Sequence, residues 1–266
     1  MARALRSRLI AISGVGTNRL PIYFDLFDVI TVESTYALEN TQAWLRRKGL
    51  PSLAERVHLL HHPMPDHFIF DPETDTKANS IIAVAQDWSN PLKGGKLLAN
   101  VIVQTLKMRG DYLAAIIGGA SDEVRRRILK ACPALATRVR AIGKIDADTT
   151  QAFYASAKIL ITTSGSESGP LVAYEAACCG CSVVFPPELK HLNAFVTANS
   201  GRMANWRTSR HLAQALLDEC GAWDAGQRDP TEISRHWSKR THTSACTDQL
   251  YAWIESDRKG GSRAVV

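Results

Sequence analysis

Residues 164–169 have the composition of a loop that binds an anion, because most of them are small. Pro170 fits the first position of a following helix, where its missing N–H group is no loss. The N–H groups of residues 171–173 would then be unpaired, and together with the helix dipole they form a site suited to a phosphate. Gly169 allows a ligand to approach the backbone closely. The sequence therefore predicts a phosphate site at this turn.

Two glutamates flank the same turn. Glu175 lies about one and a half turns into the predicted helix, where its carboxylate can accept hydrogen bonds from two adjacent hydroxyls, as on a ribose. Glu167 lies in the loop, where it can face a sugar hydroxyl beyond the phosphates. Glutamates at this spacing are usually solvated charges. Their position after a predicted parallel strand, where ligands bind in open sheets, favours the binding interpretation.

The elements around this turn predict an α/β fold. From about residue 78, apolar runs of four to seven residues alternate with segments of helical spacing, with helix N-caps expected at Ser121 and Asp148. Apolar strands that alternate with helices imply a Rossmann-like parallel sheet with helices on both faces. The apolar runs begin near residues 80, 112, 138, 158 and 181, and the helical segments span 95–108, 121–132 and 149–157.

The two ends of the chain have different patterns. Residues 1–77 contain three short strand patterns, near residues 8, 28 and 56, with a helix over 35–47, and a polar linker follows from residue 71. So few strands indicate part of a second α/β domain rather than an independent one. After residue 208, two helices are expected, over 209–221 and 231–256. We therefore predict a partial domain over 1–77, a complete domain over 78–256 and a flexible tail over 257–266.

Composition excludes several classes of protein. The 266 residues are 45% hydrophobic and 22% charged, which excludes a disordered, collagen-like or disulfide-dense chain. No apolar run reaches the roughly 20 residues of a membrane-spanning helix, and no signal-peptide core is present, so a cytoplasmic location is expected. The formal net charge of +6 arises in residues 78–266 and suits an anionic ligand, an acidic membrane surface or a merely solvated surface.

The cysteines are expected to be reduced and buried. Cys178, Cys179 and Cys181 lie between a helical segment and an apolar strand, where thiols pack like small hydrophobic groups. We expect no metal there. The basic run at 125–127 lacks interleaved aromatic residues, so no nucleic-acid partner is expected.

The stretch from Glu167 to Val184 resembles the E-x7-E signature of retaining glycosyltransferases with the GT-B fold, in particular glycosyltransferase family 4. Glu175 is followed by Ala176, Ala177 and Gly180, as in that signature, and a Ser-Val-Val strand comes next. Lys93-Gly94 is similar to the family's Lys-Gly after the first strand of the nucleotide-binding domain. Gly143 matches the glycine after the third strand. The resemblance covers residues 78–220 well and 25–77 weakly.

The resemblance implies a role for each matching residue. Lys93 would neutralise the diphosphate of a nucleotide-sugar donor, and Glu167 would contact the donor sugar, which makes these two the candidate catalytic residues. Glu175 would bind the ribose of the nucleotide. The backbone of the loop would contact the phosphates and the sugar through Ser168, Gly169, Pro170 and Leu171. The backbone of the turn after the third strand would contact the nucleobase through Lys144 and Ile145.

The implied activity is transfer of a hexose from a UDP- or GDP-sugar to a glycan or lipid-linked acceptor in polysaccharide biosynthesis, with retention of configuration. No tightly bound cofactor and no metal would be needed, and peripheral contact with the inner membrane surface is compatible with it. Two alternatives stay open. In the first, the chain would be a non-catalytic nucleotide-sugar-binding half, which either needs a second chain or comes from a truncated reading frame. In the second, it would be another GT-B enzyme, such as a sugar-nucleotide epimerase.

Three departures from the family pattern bear on these expectations. The family has an arginine on the phosphates a few residues before the Lys-Gly, but residues 85–92 contain none, so that contact is missing or comes from elsewhere. Gly169-Pro170 replaces an aromatic-Gly pair, so the loop conformation is expected to differ. The opening strands of a first Rossmann-like domain have no counterpart before Met1.

Other candidate residues are weaker. The glycines at 14 and 16 follow a strand, but the third glycine of a dinucleotide-binding loop is absent. His61 and His62 are expected to be packing or linker residues. The tryptophans near the C-terminus, Trp206, Trp223, Trp237 and Trp253, are expected to lie in the core.

Overall fold

A computed structural model of the chain describes residues 10–12, 29–167 and 169–259. Contacts divide the chain into two compact units, one formed by residues 1–66 and 239–266 and the other by residues 67–238. The candidate site residues all lie in the second unit.

The second unit contains a six-stranded sheet in which every pairing is parallel. Isoleucine, valine and leucine fill both faces of its central strands, as in a sheet covered on both sides. One residue on each of four neighbouring strands is fully buried, which places the core along the middle of the sheet. These residues are Ile81, Ile116, Leu160 and Val183. The strands are β4 (Ala78–Asp87), β5 (Leu113–Gly119), β6 (Val139–Gly143), β7 (Ala157–Ile161), β8 (Ser182–Phe185) and β9 (Gly201–Met203).

The strand order of this sheet is β6-β5-β4-β7-β8-β9. The chain builds outward from β4 in one direction, then returns to the other side of β4 with β7. The order therefore reverses between β4 and β7, and the crevice at the carboxyl ends of two such strands is where open α/β sheets bind ligands.

Helices cover both faces of this sheet, as the sequence predicted. In the helix that follows β4, Leu98, Val101, Ile102 and Leu106 are buried, and this spacing turns one face of the helix to the core. The helices of this unit are α3 (Gly95–Met108), α4 (Ser121–Ala131), α5 (Ala147–Ser156), α6 (Leu171–Cys178), α7 (Asn193–Thr197), α8 (Ser209–Asp224) and most of α9 (Pro230–Thr241).

The first unit has a three-stranded parallel sheet of order β1-β2-β3. Ile30, Val32, Leu45 and Val57 form a buried cluster between this sheet and its helices. Met64 pairs with the backbone of residues 241–243. The elements are β1 (Ile10–Ile12), β2 (Val29–Val32), α1 (Thr35–Arg47), α2 (Pro51–Ala54), β3 (Val57–Leu59) and α10 (Thr243–Lys259).

Several boundaries differ from the sequence prediction. The single helix expected over 231–256 is two helices, α9 and α10. Asp146, rather than Asp148, caps α5 by accepting a hydrogen bond from the Thr149 N–H, and Ser121 is the first residue of α4 rather than its cap. The short elements α2, α7 and β9 were not predicted, because three to five residues carry too little periodicity.

The aromatic and thiol predictions have a mixed outcome. Trp223 and Trp237 are buried, but Trp206 is 66% exposed because it lies in the loop between β9 and α8. Cys178, Cys179 and Cys181 are buried and form no disulfide within the described part of the chain, as expected. The glycines at 14 and 16 lie outside the described residues. Within the described part of the chain, no helix is both long and apolar enough to cross a membrane.

Candidate functional site

Two loops meet at the point where the strand order reverses. One follows β4 and the other follows β7, and hydrogen bonds join them directly. The Gly165 N–H donates to the Leu92 carbonyl at 2.8 Å, and the Thr163 hydroxyl donates to the Lys93 carbonyl at 2.8 Å. The loops thus form one fixed unit at the carboxyl edge of the sheet.

Gly94 permits this close approach. Its φ of +73° is a left-handed conformation that favours glycine. A Cβ at this position would lie 2.7 Å from the Thr163 carbonyl oxygen. Gly94 also precedes the first residue of α3, so the N-terminal end of this 14-residue helix, with its partial positive charge, begins at the junction of the loops.

Lys93 and Glu167, the two predicted catalytic residues, form an ion pair. Lys93 Nζ lies 2.6 Å from Glu167 Oε1, and the two side chains are 25% and 17% exposed. One comes from the β4 loop and the other from the β7 loop. The structure therefore brings together two residues that the sequence predicted separately.

Glu175 has a partner that the sequence did not indicate. The Tyr154 hydroxyl donates to Glu175 Oε2 at 3.1 Å, and Tyr154 is fully buried. Burial raises the pKa of Glu175, and the hydrogen bond from Tyr154 opposes that rise. The carboxyl group that would bind ribose is thus held by a buried hydroxyl from α5.

Lys77 binds backbone at the ends of the two helices that carry Tyr154 and Glu175. Its ammonium donates to the Tyr154 carbonyl at 2.8 Å and to the Cys179 carbonyl at 2.6 Å. Burial lowers the pKa of Lys77. Lys77 thereby joins the end of α5 to the end of α6. Its place in the sequence, within the predicted linker, gave no signal of this role.

The N-terminus of α6 differs from the predicted phosphate site. The Leu171 N–H donates to the Gly169 carbonyl and the Ala173 N–H donates to the Pro170 carbonyl, each at 2.9 Å. Two of the three amides expected to be unpaired are therefore used within the turn. Pro170 precedes the helix instead of opening it, because α6 begins at Leu171. Ser168 lies outside the described residues.

Lys144 and Ile145 follow β6, at the same carboxyl edge of the sheet. The aliphatic part of the Lys144 side chain lies against Gly119, the last residue of β5, because a Cβ on Gly119 would be 3.0 Å from Lys144 Cε. Hydrogen bonds from Ser89 lower the pKa of Asp87, and the charge of Lys144 adds to the effect. Lys144 is therefore close to the ends of β4 and β5.

A cleft of about 450 Å³ opens beside the β4 loop. It lies between the N-terminal ends of α3 and α4. Trp88 forms one wall and is held by a hydrogen bond from its Nε1 to the Ile117 carbonyl at 2.9 Å. The lining residues include Trp88, Asn90, Gly94, Gly95, Lys96 and Arg127.

Arg207 is a site residue that the sequence prediction missed. It lies between β9 and α8, and its Nε donates to the Thr163 carbonyl at 3.0 Å. The guanidinium therefore lies at the junction of the two loops that carry Lys93 and Glu167. No local pattern marked this arginine. The only signal was the missing arginine before Lys93.

Comparisons with known proteins agree with this architecture. A family model described as "Glycosyl transferases group 1" matches residues 78–219. No curated protein sequence gives a match.

Solved structures share the fold at low sequence identity. Sucrose-phosphate synthase from Thermosynechococcus elongatus is 16% identical with a TM-score of 0.64, over 88% of this chain and 59% of that one. The pneumococcal O-GlcNAc transferase GtfA, in complex with UDP and GlcNAc, is 15% identical with a TM-score of 0.68, over 95% and 53%. Anabaena HepE, in complex with UDP, is 16% identical with a TM-score of 0.69, over 96% and 74%.

These comparisons confirm the predicted α/β, GT-B-like fold with a Rossmann-like parallel sheet. At such identities the structural likeness shows the fold alone. The chain spans 59% and 53% of the length of the first two of these proteins.

Proposed function

The chain belongs to the group 1 glycosyltransferases, and from this we propose that it transfers a hexose from a nucleotide-sugar donor to a glycan or lipid-linked acceptor. We further propose that it is of the family 4 type and retains the configuration of the transferred sugar. The observation that carries the proposal is the ion pair of Lys93 and Glu167, 2.6 Å apart, at the reversal point of the sheet.

The proposed chemistry uses charge at this junction. When the bond between sugar and diphosphate breaks, negative charge develops on the leaving phosphate. Lys93 and the N-terminal end of α3 stabilise that charge, which lowers the barrier to transfer. Neither a metal nor a tightly bound cofactor takes part in this proposal.

The other predicted site residues are proposed to bind the donor. Glu175 accepts hydrogen bonds from the ribose, and Glu167 contacts the donor sugar once Lys93 turns to the phosphates. The phosphates and the sugar contact the backbone of the β7 loop, at Ser168, Gly169, Pro170 and Leu171. The base contacts the backbone of the turn after β6, at Lys144 and Ile145.

We propose a UDP-sugar as donor, with a GDP-sugar as the alternative. UDP is favoured because two proteins that share the fold, GtfA and HepE, were solved in complex with UDP. The basic excess of residues 78–266 would allow peripheral contact with an acidic membrane surface that carries a lipid-linked acceptor.

A second candidate function is nucleotide-sugar binding without turnover. It is suggested by a solved structure that shares the fold, the GtfA/B complex, which is 17% identical with a TM-score of 0.73. In this proposal residues 1–77 are part of an acceptor-side domain, residues 78–256 are the nucleotide-sugar-binding domain, and a second chain completes the site.

Calorimetric titration of the purified chain with UDP, GDP and ADP tests both candidates. Binding followed by hydrolysis or transfer of the donor sugar supports the transferase, and NMR of the product's anomeric proton tests retention. Binding without turnover supports the second candidate. If none of the three nucleotides binds, both are wrong.

A further inference from the structure

Arg207 is fixed at the loop junction by its own hydrogen bond. Its Nε donates to the Thr163 carbonyl at 3.0 Å. Thr163 is itself bonded to the backbone of the β4 loop through its hydroxyl. The arginine is therefore oriented by the same loops that position Lys93 and Glu167.

Two glycines make room for the guanidinium. A Cβ on Gly165 would lie 3.1 Å from Arg207 Cζ and 3.3 Å from each of its Nη atoms. A Cβ on Gly94 would lie 3.1 Å from Arg207 Nη2. The end of the side chain thus lies against backbone of both loops, and a side chain at either glycine would crowd it.

The terminal nitrogens of Arg207 remain able to bind an anion. Among the described residues, Arg207 has no ion pair, and its hydrogen bond to the Thr163 carbonyl uses Nε alone. Lys93, in contrast, is paired with Glu167. A guanidinium whose Nε is anchored presents Nη1 and Nη2 as a fork that matches two phosphate oxygens.

The β4 loop lacks an arginine of its own. Residues 85–92, where such a residue is expected from the resemblance, contain none. Arg207 reaches the same junction from a different part of the chain, after β9. The sequence separation explains why this substitute cannot be found by inspecting the loop.

We propose that Arg207 binds the diphosphate of the nucleotide, in the place of the arginine missing before Lys93. The proposal rests on the proposed nucleotide-sugar function. It assigns to Arg207 the contact with phosphate oxygens and leaves base and ribose recognition to other residues.

The test compares nucleotides with nucleosides. Calorimetry or ligand-detected NMR measures the affinity of wild-type chain, Arg207→Ala and Arg207→Gln for UDP, uridine, GDP and guanosine. Glutamine retains an N–H donor for the Thr163 carbonyl, so Arg207→Gln tests the same role if Arg207→Ala disturbs the fold. Arg210→Ala, an exposed arginine on α8, is the matched control. Thermal unfolding verifies that each variant is folded.

We expect Arg207→Ala and Arg207→Gln to lose roughly 10- to 100-fold in affinity for the nucleoside diphosphate, as charged hydrogen bonds of this kind predict. Affinity for the nucleoside should stay within about two-fold, and Arg210→Ala should match wild type for both. An affinity of the folded variants equal to that of wild type would overturn the role of Arg207 alone. Failure of the wild-type chain to bind any nucleotide would instead overturn the proposed function on which it rests.

Discussion

Lys93 Nζ lies 2.6 Å from Glu167 Oε1, although 74 positions separate the two residues in the chain. Their loops follow β4 and β7, which are neighbours in the sheet. Because each charge neutralises the other, a diphosphate that binds Lys93 must compete with the Glu167 carboxylate. Substitution of Lys93 should therefore lower the affinity for a nucleoside diphosphate, whereas substitution of Glu167 should leave that affinity unchanged or raise it.

Replacement of Lys93 by alanine should impair both binding and transfer. We expect kcat/KM for transfer to fall by roughly 100-fold, the size seen when a group that stabilises transition-state charge is removed. Steady-state kinetics with a nucleotide-sugar donor measure it. Lys107→Ala, at the exposed far end of α3, is the control. A transfer rate for Lys93→Ala equal to that of the control would contradict the phosphate role.

Glu167→Gln separates binding from transfer. The amide no longer competes for Lys93, so a nucleoside diphosphate without sugar should bind as tightly as to wild type or more tightly. Transfer should nevertheless fall, because the contact with the donor sugar is weakened. Calorimetry with UDP and a transfer assay measure the two effects. Weaker UDP binding by a folded variant would show that Glu167 does not compete with the phosphates.

Gly94→Ala should disrupt the loop junction. The new Cβ would meet the Thr163 carbonyl at 2.7 Å in a left-handed backbone conformation, a strain of about 1–3 kcal/mol. We expect a lower thermal midpoint and weaker nucleotide binding. Gly110→Ala is the matched control, since a Cβ there has no atom within 4 Å. Equal midpoints for the two variants would refute the steric requirement.

Glu175→Gln should stabilise the fold and weaken nucleotide binding. Burial raises the pKa of Glu175 above its ordinary value of 4.5. The folded chain therefore holds this proton more tightly than the unfolded chain, and that contribution to stability is complete below about pH 4.5 and is lost as the pH rises through the folded pKa. Glutamine removes this pH-dependent loss.

The difference in thermal midpoint between Glu175→Gln and wild type should consequently grow as the pH rises above 4.5 and then level off. At neutral pH the variant should bind UDP roughly 10-fold less tightly, because the charged acceptor for the ribose is gone. Differential scanning fluorimetry across pH and calorimetry at pH 7 measure these effects. A midpoint difference that is constant with pH would contradict the raised pKa, and unchanged UDP affinity would contradict the ribose role.

The local pattern of the chain was sufficient for the main elements of the sheet. Apolar runs of isoleucine, valine and leucine predicted β4 to β8, and the 3.6-residue spacing predicted α3 with its observed bounds, Gly95–Met108. Alternation of these two patterns predicted the fold class, because apolar strands separated by helices are typical of a parallel sheet covered on both faces. Glu167 and Glu175 were predicted from their places around a loop-helix turn after an apolar strand, and Lys93 was implied by the resemblance to glycosyltransferase family 4.

Tertiary structure decided the partners of these residues. Sequence spacing cannot show that Lys93 contacts Glu167, that a buried tyrosine holds Glu175, or that Arg207 reaches the junction from beyond β9. It also could not show that the Leu171 and Ala173 amides are used within their own turn. Each of these contacts depends on which strands are neighbours and on how loops meet at the sheet's edge. Both are set by packing across the whole unit, whereas the sequence pattern reports only what one segment prefers.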